Sequence, residues 1–80
     1  MRLDKYLKVS RIIKRRTVAN DACDAGRVIV NGKPARASYD VKVGDIIEIG
    51  FGTRTVKAEV LEVAETVRKD AAAMMYRLVD

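Results

Sequence analysis

The spacing of apolar residues changes its period along the chain. Leu3, Tyr6 and Leu7 stand at i, i+3 and i+4, which predicts a short amphipathic helix over residues 3–9. Basic residues recur beside them at Arg2, Lys5, Lys8, Arg11 and Lys14. A step of three residues advances about 300° around a helix, so these cations form a slowly winding stripe. The run 10–16 reads as a turn in which Ser10 caps a short helical piece and Ile12 and Ile13 point inward. Thr17 is the expected N-cap of a second helix over 18–25, with Asp21 near its positive end. Ala19, Ala22 and Cys23 give that helix a small-residue face, fit for close packing on the first. Gly26 ends it at C′, where a left-handed backbone is needed.

The period then becomes two. Residues 27–30 predict a strand with Val28 and Val30 facing one way and Ile29 the other. Asn31-Gly32 is a strong signal for a tight reversal, since both residues tolerate positive φ. Residues 33–37 return as its partner, kept short or at an edge because Pro34 cannot donate a ladder hydrogen bond. Gly44-Asp45 is a second turn, 46–49 a strand, 50–52 a glycine-rich turn around Phe51, and 54–63 a longer strand. Its apolar parity shifts between Val60 and Leu61, the mark of a bulge or a strand end. A short helix is expected over 68–73, and the alternation of Tyr76 and Leu78 favours a final strand over 74–79. Two helices followed by a small, mainly antiparallel sheet make an α+β fold, expected as one domain over residues 1–80.

Composition narrows the chemistry. With no His and one Cys there is no ligand set for zinc, no His-based triad and no internal disulfide. No cofactor and no catalysis are expected. The longest apolar run, 71–75, is far short of the ~20 residues that span a bilayer, and no secretory signal opens the chain. A cytoplasmic, monomeric module without a membrane partner is the expectation. Cys23 reads as a buried, inert thiol. Gly44-Asp45 is not a phosphate loop, because no Gly-Lys-Ser/Thr follows.

The net charge is +5, and its distribution matters more than its size. The first forty residues hold ten Lys/Arg and four Asp, a surplus of six; the second forty hold six Lys/Arg and seven Asp/Glu. Residues 1–16 alone hold seven basic groups and one acidic one. Such a bias points to a polyanion on one face. Arg15 and Arg16 stand directly before Thr17, where guanidinium groups and the free N–H groups of a helix start converge on a site suited to phosphate. Candidate RNA-binding residues are therefore Arg2, Lys5, Lys8, Arg11, Lys14, Arg15, Arg16, Thr17 and, from the Asn31-Gly32 turn, Lys33. Tyr6 belongs to the apolar helix face, and Tyr39 reads either way. Aromatic residues are too few for a single-strand stacking platform, which favours structured RNA read by shape and phosphates.

Arg2-Leu3-Asp4-Lys5-Tyr6-Leu7, Ser10-Arg11, Arg15-Arg16-Thr17, Gly26-Arg27-Val28, Val30-Asn31-Gly32 and Val43-Gly44-Asp45 together resemble the S4-type, or alpha-L, RNA-binding domain. The resemblance covers residues 2–49, with C-terminal strands and a short helix in 50–80. In size, and in the tail Ala71-Ala72-Ala73-Met74-Met75-Tyr76, the chain is similar to the RqcP family of bacterial ribosome quality control. That resemblance implies binding to the large (50S) ribosomal subunit carrying peptidyl-tRNA, with contacts to 23S rRNA and tRNA. It also implies support of RqcH-directed alanine tailing, with RqcH as a partner. The family's important arginines fall at Arg2 and Arg16. Competing readings are a heat-shock S4-type protein recycling or rescuing free 50S subunits that carry nascent chains, which typically has a longer basic C-terminal extension, and a generic rRNA-binding or ribosome-assembly module. A pseudouridine synthase fragment lacks its catalytic domain, and Asp4, Asp21 and Asp24 read as ion-pair residues. A DNA-binding helix-turn-helix lacks base-reading side chains on the small, acidic second helix, so DNA is not an expected partner.

Overall fold

A computed structural model of the chain describes residues 1–79. The elements run α1 (Leu3–Val9), α2 (Arg16–Asp24), β1 (Val28–Val30), β2 (Lys33–Pro34), β3 (Ile46–Phe51) and β4 (Arg54–Val60). A turn of 3₁₀ helix (Ala72–Met75) and β5 (Tyr76–Leu78) follow. The strands form one antiparallel sheet in the order β2-β1-β3-β4-β5. This is the expected α+β layout, two helices on a small sheet. β2 is two residues long and lies at the edge, which suits Pro34.

Alternation sorts each strand into two faces. Val28, Val30, Ile47, Ile49, Ala58 and Val60 are buried, and most of them pack with Leu3, Tyr6, Leu7, Ala19 and Cys23 of the helices. Removing a side chain of the Leu, Val or Ile class from water stabilises a fold by about 1.5–3 kcal/mol. The opposite face carries Glu48 and Lys57 paired at 3.4 Å, and Glu59 bonded to Arg77. Tyr6, fully buried, donates its hydroxyl to the Met75 carbonyl at 2.8 Å and so ties the 3₁₀ turn to α1. Burial pushes its phenol above the ordinary range. Cys23 is buried, and the same cause, with Asp4 and Asp24 nearby, pushes its thiol up to about 11.

Several boundaries differ from the expectation. Ser10 is the C-cap of α1 rather than the cap of a further helical piece; residues 10–14 are turn and bend, and Ile13 alone of the pair is buried. α2 begins at Arg16, so its N-cap is Arg15 in extended conformation, and Thr17 lies inside the first turn with no capping bond. Asp21 sits too far along α2 to meet its positive end, and no acid occupies the first turn. Propensity favours Thr as a cap, yet the helix starts one residue before it, with Ala19 and Cys23 on its buried face. Gly50 and Phe51 belong to β3, and the reversal falls at residues 52 and 53. β4 ends at Val60, where the parity shift was seen. The helical turn expected over 68–73 forms later, at Ala72–Met75, because Ala72 and Met75 are the residues buried there.

The C-terminus of α2 follows the expectation. The Gly26 N–H donates to the Cys23 carbonyl, the Arg27 N–H to that of Ala22, and Gly26 has φ 74°. The Asn31-Gly32 reversal has φ 52° and 83°. Asn31 also braces the second turn, donating Nδ2 to Asp45 Oδ1 at 3.0 Å and accepting from the Ile46 N–H at 2.9 Å. Tyr39 and the Lys42 N–H complete the set on Asp45 Oδ2, each at 2.9 Å. Burial would raise this carboxyl, but these donors outweigh it and hold it below the ordinary range.

Candidate nucleic-acid interface

The two helices start in different states. The leading N–H groups of α1 are consumed within the protein: Leu3 donates to the Tyr39 carbonyl at 2.8 Å, Asp4 to that of Ala37 at 3.2 Å, and Lys5 to the Asp4 carboxylate at 2.8 Å. No side chain caps α2, and residues 14–18 are all exposed. A helix start in that state presents N–H groups and a partial positive charge to solvent.

Beside it, Lys5, Lys8, Arg11, Lys14 and Arg16 line one groove of about 770 Å³, together with Val9, Glu65, Thr66 and Val67. Five of the nine candidate residues thus meet in one place, although they span two helices and the turn between them. Arg2 joins them through Asp4. Its guanidinium donates from Nε to Asp4 Oδ1 at 3.2 Å, and Arg16 Nε lies 3.5 Å from Oδ2 of the same carboxylate. Asn20 Nδ2 donates to Oδ2 at 3.2 Å. The side chain of Asp4 is 3% exposed, whereas Arg2 and Arg16 are about half exposed (50% and 48%), so one buried anion fixes two cations that still face water. Burial would raise the Asp4 carboxyl. The bonds from Arg2, Asn20 and the Lys5 N–H, with the Arg16 charge, outweigh it and hold the group below its ordinary value.

Other candidates lie apart from the groove. Arg15 and Thr17 are exposed at the start of α2 but do not line it. Lys33 lines a separate hollow with Arg36, Ser38 and Tyr39. Two features escaped the sequence reading. Lys5 is bonded to Glu65, which places an acid in the basic groove; nothing in the pattern around residue 65 marks it, because the contact spans sixty positions of chain. Arg11 has φ 63°, the left-handed conformation at the residue after the Ser10 C-cap, where glycine or asparagine is the ordinary choice. Holding a non-glycine residue in that conformation costs about 1–2 kcal/mol.

Among the described residues no cluster of His, Cys, Asp and Glu could hold a metal ion, and no helix is long and apolar enough to cross a membrane. The groove offers five cations suited to the phosphates of a polyanion.

Residues 1–47 match the S4 domain family. Over 79 residues the chain is 54% identical to the RQC P-site tRNA stabilizing factor of Streptococcus pneumoniae, covering 99% of this chain and 90% of that one. It is 51% identical over 78 residues to the protein of the same name in Bacillus subtilis, covering 98% and 91%. In three dimensions it is similar to heat shock protein 15 of Vibrio cholerae, solved as a trimer. The TM-score is 0.91 at 29% identity, over 99% of this chain and 81% of that one.

Proposed function

The chain belongs to the S4 domain family, within it to the RQC P-site tRNA stabilizing factors, and from that premise we propose a non-catalytic RNA-binding role in ribosome quality control. The protein binds the 50S subunit carrying peptidyl-tRNA, touches 23S rRNA and the tRNA, and supports RqcH-directed alanine tailing of the stalled chain. It works in the cytoplasm, as a monomer and a single S4-type unit.

The observation that carries this reading is the convergence of Lys5, Lys8, Arg11, Lys14 and Arg16 on one groove, with Arg2 locked beside it through Asp4. Cations gathered in one groove neutralise phosphates of a bound backbone, and contacts of that kind read the shape of folded RNA more than its sequence. Arg15, Thr17 and Lys33 are peripheral contacts on this reading, reached only by an RNA that extends past the groove.

Holding a tRNA in place needs no bond-making by the protein. It needs a rigid charged surface that contacts rRNA and tRNA at once. The fixed Arg2–Asp4–Arg16 unit supplies rigidity, and the exposed start of α2 supplies further donors.

The test is sedimentation of the tagged protein through sucrose gradients with purified 50S particles, with and without peptidyl-tRNA. Co-migration with the tRNA-bearing particles is expected. Arg16→Ala should weaken it and lower the slope of log affinity against log salt by about 0.7–0.9, one phosphate contact. Equal migration with empty 50S particles would move the reading toward a generic rRNA-binding or ribosome-assembly module. Unchanged affinity and slope in Arg16→Ala would remove the groove from the interface.

A further inference from the structure

The face of the sheet that packs on the helices runs on beyond their cover. Along β3, Ile47, Ile49 and Phe51 share this face; the first two are buried and Phe51 is 41% exposed. Val56 of β4 and Tyr76 and Leu78 of β5 lie next to it, and Leu78 is 67% exposed. With Ile12, Arg11 and Arg54 they line one hollow. Two of the chain's four aromatic residues line this hollow at different places: Phe51 pairs with Arg54 at the start of β4, and Tyr76 pairs with Val60 at its end. No carboxylate lines this hollow, and among the described residues neither Arg11 nor Arg54 forms an ion pair.

Arg11 lines both this hollow and the basic groove. Its left-handed backbone stands at the junction of the two. An RNA strand whose phosphates lie in the groove therefore passes the mouth of a cavity that is apolar, aromatic and cationic. These are the properties that hold an unstacked base: rings and guanidinium planes stack on its faces, and positive charge meets the phosphates on either side of it.

We propose that this hollow, at its Phe51 end beside Arg54 and with Arg11 in its lining, receives one unpaired nucleobase of the RNA bound in the groove. The proposal rests on the RNA-binding reading above and adds a base-stacking subsite to it. An apolar side chain of a protein partner would also fit Phe51 and Leu78. The two unpaired arginines and the continuity with the groove favour a nucleotide.

The experiment uses two fluorescein-labelled RNA hairpins, one with a fully paired stem and one with a single bulged 2-aminopurine in that stem. Anisotropy gives affinity, and 2-aminopurine emission reports stacking. The intact protein should bind the bulged stem at least about fivefold tighter, the weak end of base–aromatic stacking, with quenching of the probe. Phe51→Ala should abolish that advantage and leave affinity for the paired stem unchanged. Phe51→Leu keeps the apolar volume and folding, and should lose most of the advantage as well. Equal affinity for both hairpins, with both weakened by Arg16→Glu, would overturn the subsite and leave the groove standing. No effect of Arg16→Glu on either hairpin would overturn the groove itself. A Phe51→Ala variant that binds both hairpins normally but no longer joins 50S particles would assign the hollow to a protein contact and overturn the base site.

Discussion

Asp4→Asn sets two accounts of the interface against each other. The change removes one negative charge from the most basic part of the chain and swaps the acceptor facing Arg16 and Asn20 for an NH₂ group. If binding followed net charge alone, the variant would bind RNA more tightly. A unit charge at ~4 Å gains about 1 kcal/mol in water, and less at physiological salt. If the carboxylate matters because it fixes Arg2 and Arg16, the variant must bind more weakly. Immobilising a flexible side chain on binding costs about 0.5–1.5 kcal/mol, so releasing two arginines costs about 1–3 kcal/mol. The second effect is larger, and a loss of about fivefold is expected for a labelled rRNA stem-loop at 150 mM salt. Stability falls too. Bonds to a charged acceptor contribute about 1.5–3 kcal/mol each, discounted here because both arginines are about half exposed. A loss of about 2 kcal/mol corresponds to a drop in Tm of roughly 8–16 °C for a domain of this size. The folded protein holds the Asp4 carboxyl below its ordinary value. Its contribution is therefore complete above the unfolded value of ~3.9 and fades as pH falls through the lower folded value. Melting curves followed by circular dichroism should show a gap between wild type and variant at pH 7 that narrows below pH 4. Tighter RNA binding by Asp4→Asn with an unchanged Tm would refute the positioning role.

Arg11→Gly removes the side chain at the junction of groove and hollow and relieves a left-handed backbone. Tm should rise, by about 0.5–1 kcal/mol of stability after the extra flexibility of the unfolded chain is subtracted, while RNA affinity falls; a lower Tm would contradict the strain. Glu65→Gln frees Lys5 and removes the acid from the groove, so affinity should increase and the salt slope steepen by about 0.7–0.9; unchanged affinity and slope would show that Glu65 does not hold Lys5 back from phosphate. Asn31→Ala loses two side-chain bonds at a position with φ 52° and should destabilise by about 2–3 kcal/mol with RNA contacts in the groove intact. An unaltered thermal melt would disprove the brace between the two turns.

Local chemistry accounts for what was legible from residues alone. The i, i+3, i+4 spacing of Leu3, Tyr6 and Leu7, the Gly26 stop and the Asn31-Gly32 reversal each act within a few neighbours, and each appears where expected. The start of α2 is different. Thr17 has the better capping side chain, yet the helix begins one residue earlier. The 3₁₀ turn likewise follows the burial of Ala72 and Met75 rather than propensity over 68–73.

The order of amino acids by itself determined that this is a two-helix, antiparallel α+β protein, and that its excess positive charge belongs to the first sixteen residues. Tertiary structure alone decided which of those charges act together. Helical periodicity places Lys5 and Lys8 on a winding stripe, but their meeting with Arg11, Lys14 and Arg16 depends on the angle between two helices and the path of a turn. Pairing of Arg2 and Arg16 on one buried carboxylate, and entry of Glu65 into the groove, join residues up to sixty positions apart. Such contacts are set by how the whole core packs, and no local pattern encodes them.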